Sequence, residues 1–138
     1  MKHKILLSYV KDLSLETASV ESLVIARERI SKYILDIDIN SKAIKRQMIE
    51  VCTKLAYSDP EKNQKRTLFE MEYATVLSIE EEKPDPDKLK KFILCDLQIQ
   101  IYPKIQETFI NIMKLSGFKD IQITGSVDFE KLYNQKKI

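Results

Sequence analysis

The chain is poor in the residue types on which most catalytic motifs depend. Its one histidine, His3, stands near the start of the chain. Metal sites with His-His or His-Cys ligands, Ser-His-Asp triads and Cys-His dyads are therefore not expected. Its two glycines, Gly117 and Gly125, are too few for the glycine-rich loops that cradle nucleotide phosphates. The sequence predicts a protein that is not an enzyme and that uses no ATP, metal or cofactor.

The cysteine content, the net charge and the absence of long apolar runs narrow the class further. Cys52 and Cys95 lie far apart and not in a C-x-x-C arrangement, which favours free buried thiols in a reducing compartment. A net charge of +2 gives no sign of nucleic-acid binding. No apolar run reaches the roughly 18 to 20 residues of a membrane span, and the N-terminus does not resemble a signal peptide. We expect a cytoplasmic protein that neither inserts into a membrane nor binds nucleic acid.

Four stretches of the chain alternate apolar and polar side chains, as strands with one buried and one solvated face do. They span residues 4–16, 33–40, 47–57 and 66–80. In the first stretch the apolar residues are odd-numbered, so we expect the odd face to be buried. The side chains on that face are Ile5, Leu7, Tyr9, Leu13 and Leu15.

The connections between these strands are predicted from turn and cap residues. Asn40-Ser41 is a turn signal after the second strand, and residues 61–65 form a charged hairpin loop before the fourth. Residues 17–32 allow two interpretations. One is a helix with Ser19 as its N-cap, and the other, which we favour, is an apolar crossover loop with some helical turn. The four strands then form an antiparallel meander with one face for helices.

The second half of the chain has the apolar spacing of helices. Asp85 suits a helix N-cap and Pro86 the first helical position, where a missing N–H is harmless. Pro103 predicts a kink or a restart, because proline cannot donate the helical hydrogen bond. Gly117 predicts a helix end in the left-handed conformation.

The end of the chain predicts an extended segment and one more helix. Residues 121–126 are expected to be extended, and Ser126 or Asp128 can cap the helix that follows. The whole pattern predicts a single α+β domain spanning residues 1–138. Its architecture is a four-stranded antiparallel sheet with C-terminal helices packed on one face.

Four segments of the sequence resemble, in order, the SecB family of bacterial export chaperones. YVKDLSLE, from Tyr9 to Glu16, is similar to the Y-x-K-D-[IL]-S-F-E opening of that family. FEMEYATVLSI resembles its fourth strand, and IYPKIQETFINIMKLSGF resembles its proline-containing helix that ends in glycine. ITGSVDFEKLY is similar to its closing segment. The resemblance extends from about residue 4 to residue 135.

The resemblance implies both an assembly and an activity. SecB-like chains form homotetramers, as dimers of dimers, with the helices at the tetramer centre. They act without ATP as holdases that bind unfolded, non-native polypeptides in long apolar grooves and pass them on. In protein export the receiver is the motor protein SecA. We therefore expect unfolded polypeptide clients, a homotetramer and a possible interaction with SecA.

The resemblance also implies roles for three sets of residues. The walls of the client groove match Val20, Leu23, Val24, Ile25, Tyr33, Leu35, Ile37, Phe129, Leu132 and Tyr133. The flat acidic surface that faces SecA matches Asp12, Glu16, Leu68 and Glu70. Contacts between subunits, or packing within one chain, are expected of Ile105, Phe109, Ile112 and Met113. Each set has a structural alternative, since apolar residues also form ordinary cores and surface carboxylates also maintain solubility.

The sequence departs from the SecB pattern at several positions, which leaves the client open. Ala74-Thr75 replaces a double glycine of the fourth strand, Gln106 stands near the position of an arginine, and Ser126 replaces a proline. The basic end of the chain is short. Export of many precursors is the main interpretation. The alternative is a SecB-like chaperone dedicated to one client, such as the antitoxin of a toxin–antitoxin system. A small enzyme of unknown chemistry is a remote third possibility.

Overall fold

The computed structural model describes residues 1–61, 68–121 and 127–136. In these ranges it contains one four-stranded antiparallel sheet together with helices, which confirms the α+β fold class. The strands are β1 His3–Leu15, β2 Ile34–Lys45, β3 Met48–Ser58 and β4 Phe69–Ile79. The helices are α1 Val20–Arg29, α2 Pro86–Lys91, α3 Leu97–Leu115 and α4 Phe129–Lys136, with a 3₁₀ turn at Ile30–Lys32 and a π-helical turn at Phe92–Asp96. Of these helices, none is long and apolar enough to span a membrane.

The strands lie in the order β1-β4-β3-β2, so that β1 and β2 form the two edges of the sheet. The predicted meander therefore holds for β2, β3 and β4 but is wrong for β1, which pairs with β4. Directly paired residues share a face of an antiparallel sheet. Val51, Leu55 and Leu77 therefore lie on the face that packs against Ile105 and Phe109 of α3, which we call the helix face. The opposite side, which carries Glu50 and Glu72, is the open face.

The turn between β2 and β3 lies later than the sequence predicts. Asn40 and Ser41 are paired with Cys52 and Val51 inside the ladder, so the predicted turn at these residues is wrong. Continuous hydrogen bonding along the strand outweighs the turn preference of asparagine and serine. The reversal occurs instead at Arg46-Gln47, where Gln47 has a φ of 62°.

Strand β1 confirms the first predicted strand but not its predicted buried face. The pairing of β1 with β4 shifts register between Ile5 and Leu7 and again between Val10 and Asp12. Each bulge adds one residue and so exchanges the two faces. Leu7 and Tyr9, which were expected to be buried, consequently lie on the open face, where Leu7 is 56% exposed.

Residues 17–32 form a helix rather than the loop that we favoured from sequence. The Ser19 side chain accepts a hydrogen bond from the backbone N–H of Ser22 at 3.1 Å, as the helical alternative requires. Ser22 and Ala26 are the buried residues of α1. Two small side chains on one face bring α1 close to the rest of the chain, while Val20, Val24 and Ile25 are exposed.

Helices α2 and α3 form one continuous helical run across Pro103. Asp85 caps α2 by accepting from the N–H of Lys88 at 3.2 Å, which confirms the predicted start. The restart predicted at Pro103 is wrong, because the helix continues through it. Pro103 and Ile99, whose carbonyl loses its helical partner, are both exposed, so water can solvate that carbonyl. The irregularity lies instead at Phe92–Asp96.

The core between sheet and helices contains three of the four residues predicted as oligomer contacts. Ile105 and Met113 are 0% exposed and Phe109 is 1% exposed within a single chain. Burial of such side chains contributes about 1.5 to 3 kcal/mol each to folding. The prediction that these three contact another subunit is therefore wrong, and the intramolecular alternative holds for them. Ile112 is only half-buried and stays a candidate contact.

The helix ends near the C-terminus agree with the sequence where the structure describes them. Gly117 has a φ of 105° and follows α3, which confirms the left-handed end. Asp128 accepts from the N–H of Lys131 at 3.0 Å and so caps α4. The predicted loop 61–65 and the predicted extended segment 121–126 lie outside the described residues, apart from residues 61 and 121. Ser126, the other predicted cap, lies outside them as well.

Candidate functional site

A cavity of about 420 Å³ lies between the edge strand β2 and the start of the helical run. Apolar side chains make up much of its lining. The residues around it are Ile39, Asn40, Ser41, Pro86, Leu89, Lys90, Ile93 and Leu94. A concave apolar site with a few polar groups suits the binding of an apolar segment.

The cavity continues along a strand edge that is open. β2 pairs with β3 on one side, and no strand in the described part of the chain pairs with its other side. Leu35, Ile37 and Ile39 alternate along β2 on the helix face, and all three are half-buried. An edge strand offers unpaired backbone N–H and C=O groups to an extended chain. We call the cavity together with this row of side chains the β2 groove.

The β2 groove includes two of the residues predicted from sequence and several that were not. Leu35 and Ile37 belong to its row, whereas Tyr33, at the head of β2, is only 7% exposed. The Tyr33 ring packs 5.3 Å from the ring of Tyr57, so this side chain is core rather than groove wall. The sequence did not predict Leu89 and its helical neighbours as groove residues. The apolar spacing of this helix predicts packing onto the sheet and does not indicate a cavity beside it.

The π-helical turn Phe92–Asp96 places Ile93 and Leu94 in the groove lining. Beneath it, Gln98 is fully buried and accepts a hydrogen bond from the Thr53 hydroxyl at 3.0 Å. The Gln98 amide also donates to the carbonyl of Ile93 at 3.2 Å. The sequence signal for this feature is the glutamine at position 98, which stands at helical spacing among apolar residues that are expected to be buried. A buried polar side chain requires hydrogen-bond partners.

Helix α1 carries the most exposed apolar side chains of the predicted groove set. Val20 is 72% exposed, Val24 49% and Ile25 43%. Leu23 instead packs against the chain after α3, where a β-carbon at Gly117 would lie 3.1 Å from its Cδ1 atom. The outward valines and isoleucine form a second apolar surface, which we call the α1 surface.

Helix α4 belongs to the core rather than to a groove wall. Phe129 is 3% exposed and its ring meets that of Tyr102 edge-to-face at 5.3 Å. Tyr133 is 8% exposed, and Leu132 is half-buried against the core. The prediction that Phe129 and Tyr133 line the groove is therefore wrong for the single chain. Phe129 has a ring partner within the fold and Tyr133 is buried, and the apolar periodicity of the sequence does not distinguish such core residues from groove residues.

The acidic surface predicted from sequence is only partly assembled on the open face. Asp12 is paired with Glu72, and Glu70 lies opposite Ser14, so Asp12 and Glu70 share this face. Glu16 and Leu68 are exposed just outside the strands, with Leu68 at 41%. The pairing register adds three carboxylates that the prediction did not include. They are Asp36, Asp38 and Glu72.

The middle of the open face contains a connected polar cluster. Glu50 accepts hydrogen bonds from Lys11 Nζ at 2.5 Å, from Tyr9 Oη at 2.8 Å and from Cys52 Sγ at 3.3 Å. These bonds, that from Lys11 first, lower the pKa of Glu50 to about 2. Burial and the bond to Glu50 raise the pKa of the Cys52 thiol to about 11. Cys52 thus stays protonated at neutral pH and is a poor nucleophile.

The second thiol and the acidic side chains give no sign of metal or nucleophilic chemistry either. Both cysteines are free and buried, and burial raises the pKa of the Cys95 thiol. Within the described ranges, no three His, Cys, Asp or Glu side chains come together as metal ligands would. On the open face Lys11 and Tyr9 bond to Glu50, and the cavity belongs to the β2 groove.

An apolar groove beside a strand edge that is open in the described part of the chain is the kind of site that binds an extended polypeptide. The chain belongs to the SecB family of protein-export chaperones. The family profile described as preprotein translocase subunit SecB matches residues 1–138. The sequence relatives agree with this assignment.

Two relatives and two solved structures illustrate the similarity. The chain is 39% identical over 134 residues, 97% of its length and 96% of the relative's, to a Pelagibacter ubique (strain HTCC1062) protein whose name assigns it to the SecB export proteins. It is 28% identical over 131 residues, 93% and 83% of the two lengths, to protein-export protein SecB of Rickettsia bellii (strain OSU 85-389). A Mycobacterium tuberculosis SecB-like chaperone, solved with a peptide from an antitoxin, matches with a TM-score of 0.66, 11% identity and 90% coverage of each chain. A Streptococcus agalactiae protein of unknown function gives a TM-score of 0.52 at 7% identity, covering 92% of this chain and 98% of the other.

Proposed function

We propose that this chaperone binds unfolded polypeptide in the β2 groove and across the α1 surface, without ATP, and later hands it on. The observation that carries the proposal is the apolar cavity that opens onto the unpaired edge of β2. The antitoxin peptide bound by the Mycobacterium tuberculosis relative, which has the same fold, supports a polypeptide ligand.

Apolar burial suits a chaperone because it is non-directional and tolerates many client sequences. Each large apolar side chain that fills the groove contributes about 1.5 to 3 kcal/mol, before the cost of ordering the client. Three or four such side chains, together with backbone hydrogen bonds to β2, would give micromolar binding, which corresponds to about 8 kcal/mol. Affinity of this order holds a client and still allows its release.

The carboxylates of the open face supply a candidate docking surface for the receiver. Asp12, Glu70 and Glu72 lie together on this face, and Asp36 and Asp38 add charge from β2. Lysines lie among them, since Lys54 is paired with both Asp38 and Glu72 and Lys11 is bonded to Glu50. Carboxylates such as Asp12 and Glu70 would attract basic side chains of a partner and so speed association. In protein export we propose that this partner is SecA.

We further propose a cytoplasmic homotetramer assembled as a dimer of dimers. Two observations support contacts with other chains. The edge strand β1 exposes a row of apolar residues, and α3 exposes Ile99 at 60% and Leu115 at 89%. The large apolar residues that β1 exposes are Leu6, Leu7, Tyr9, Val10 and Leu13. Exposed apolar strand edges are unfavourable unless another strand or chain covers them.

The groove proposal is tested with a matched pair of variants on one strand. Ile39→Asp places a charge in the cavity, whereas Ile44→Asp places the same charge on β2 at a residue that is already 47% exposed and outside the cavity. Ile39→Asp should weaken binding of a fluorescent extended apolar peptide and reduce suppression of client aggregation. Equal effects of the two variants, or a wild-type protein that does not suppress aggregation, would contradict the proposal.

The alternative function, a chaperone dedicated to one client, is favoured by the antitoxin peptide of the structural relative. Affinity purification from the native host separates the two functions. One dominant partner indicates the dedicated role, whereas many precursor proteins together with SecA indicate general export.

A further inference from the structure

The π-helical turn Phe92–Asp96 displaces one backbone hydrogen bond of the helix. In an α-helix the N–H of Leu97 would bond to the carbonyl of Ile93. Here that N–H bonds to the carbonyl of Phe92, one residue earlier. The side-chain amide of Gln98 donates to the carbonyl of Ile93 instead, at 3.2 Å. A buried carbonyl would otherwise lack this partner, at a cost of about 1 to 3 kcal/mol.

The same side chain ties the turn to the sheet. Thr53 in the middle of β3 donates its hydroxyl to the Gln98 amide oxygen at 3.0 Å, and both residues are fully buried. The Gln98 amide therefore has a fixed orientation, with its oxygen towards β3 and its nitrogen towards Ile93. This arrangement connects the centre of the sheet to the wall of the β2 groove through one residue.

The π-helical turn determines which side chains face the groove. One residue of an α-helix spans about 100° of rotation and 1.5 Å of rise. Because α3 is anchored in the core by Ile101 and Ile105, an α-helical path through Phe92–Asp96 would rotate α2 by about that amount relative to the sheet. Leu89, which now lines the cavity, would turn away from it.

We propose that Gln98 is a positioning residue of the client groove, which acts by holding the π-helical turn so that Leu89, Ile93 and Leu94 face β2. The proposal rests on the proposed function of the groove. Gln98 itself is buried and touches no client. Its role is to set the shape of the site, and through it which apolar side chains a client can insert.

Two pairs of variants test the proposal. Thr53→Val removes the hydroxyl at nearly constant shape, and Thr53→Ser retains it. Gln98→Met removes both hydrogen bonds of the amide, and Asn111→Met makes a similar change at an exposed position of the same helix. The thiol of Cys95 lies inside the π-helical turn and is 1% exposed, so its reaction with a thiol reagent reports opening of the turn. A Cys52→Ala background removes the other thiol.

The expected result combines a local and a functional change. Thr53→Val and Gln98→Met should each raise the labelling rate of Cys95 and weaken binding of a fluorescent extended apolar peptide, by about tenfold for the loss of one buried hydrogen bond. Thr53→Ser and Asn111→Met should change neither by more than about twofold. Methyl NMR signals of Leu89 and Ile39 should shift in the first two variants.

Two outcomes would overturn the positioning role of Gln98, and a third would overturn the proposed function of the β2 groove. Faster Cys95 labelling with unchanged peptide affinity would show that Gln98 stabilises the helix without shaping the site. Equal Cys95 labelling rates and equal peptide affinities in Thr53→Val and Thr53→Ser would overturn the link to β3. If Gln98→Met does not fold, these two Thr53 variants provide the test. If the wild-type protein binds no peptide, the proposed function fails, whereas the Leu89 methyl shifts still show whether Gln98 positions that wall.

Discussion

Arg29, in the last turn of α1, binds Asp59 beyond the end of β3 through two hydrogen bonds. Its Nε lies 2.5 Å from Oδ2 of Asp59 and its Nη2 lies 3.0 Å from Oδ1. The Asp59 side chain is 2% exposed and that of Arg29 is 19% exposed. Tyr57 of β3 also contacts the end of α1, because its hydroxyl donates a hydrogen bond to the carbonyl of Ile30 at 3.2 Å. These bonds fix α1, and with it the α1 surface, to the sheet.

We expect Arg29→Met to destabilise the protein by about 3 kcal/mol, because it leaves a nearly buried Asp59 carboxylate without its guanidinium. The measurement is urea unfolding at one fixed protein concentration, since assembly would make stability depend on concentration. Arg46→Met is the control. Arg46 pairs with Glu82 at the surface, with side-chain exposures of 76% and 70%, and should lose less than about 1 kcal/mol. Similar losses in the two variants would contradict this assignment.

Gly117→Ala should destabilise the protein by about 1 to 3 kcal/mol, because a φ of 105° strains any residue with a β-carbon. The added methyl group would also lie 3.1 Å from Cδ1 of Leu23, so the NMR signals of that methyl should shift. Lys119→Ala, at an exposed position two residues further on, is the control. A Gly117→Ala protein as stable as the control would refute the strained left-handed end.

The Glu50 cluster predicts a specific acid dependence of stability. Its hydrogen bonds, from Lys11 first, depress the pKa of Glu50 from 4.5 to about 2. A carboxylate with a depressed pKa in the folded state stabilises the protein above its unfolded-state pKa. That stabilisation is lost as the pH falls through the range from about 4.5 to 2. Glu50→Gln should therefore show a smaller fall in melting temperature between pH 6 and pH 3 than the wild type.

Glu70→Gln is the matched control for this measurement, since Glu70 lies on the same open face opposite Ser14 and outside the hydrogen bonds of the cluster. It should retain most of the acid dependence of the wild type. If Glu50→Gln loses as much stability on acidification as the wild type, the cluster does not hold the Glu50 carboxylate in its charged form.

The α1 surface predicts that Val24→Asp weakens client binding by about tenfold, since burial of a valine is worth about 1.5 to 3 kcal/mol. Val24 is 49% exposed in the single chain, so the fold should be unaffected. If the α1 surface binds clients and not subunits, the assembly should be unaffected as well. Ile44→Asp, at a residue of β2 that is 47% exposed and lies outside both the α1 surface and the cavity, provides the control. Peptide titration and the mass of the native assembly are the two measurements. If Val24→Asp dissociates the assembly instead, α1 is a subunit interface and not a client surface.

Much of the fold follows from local sequence pattern. The alternation in four stretches corresponds to β1 to β4, and Asp85, Gly117 and Asp128 end or begin helices where their side chains or backbone predict. Such features depend on residues close together in the chain. The resemblance to SecB rested on four short segments in order, and the family profile and sequence relatives confirm it.

The candidate site was harder to predict, because it depends on which apolar side chains are left uncovered. Leu35 and Phe129 look alike in sequence, yet Leu35 lies half-buried at an open edge whereas Phe129 packs edge-to-face on Tyr102. Bulges in β1 moved Leu7 to the other face of the sheet. The turn at Asn40-Ser41 was displaced by ladder hydrogen bonds. Each difference arises from a partner that is distant in the chain.

The sequence by itself determined the strands, the helix caps, the family and the lack of His- or Gly-based catalytic motifs, because these follow from residue identity and local periodicity. Only the tertiary structure decided where an apolar surface stays open. The order β1-β4-β3-β2 leaves β2 at an edge, and the bond from Gln98 to Ile93 sets the π-helical turn that places Leu89 beside it. The groove lies between elements that are far apart in the chain, and local sequence pattern does not predict the space between them.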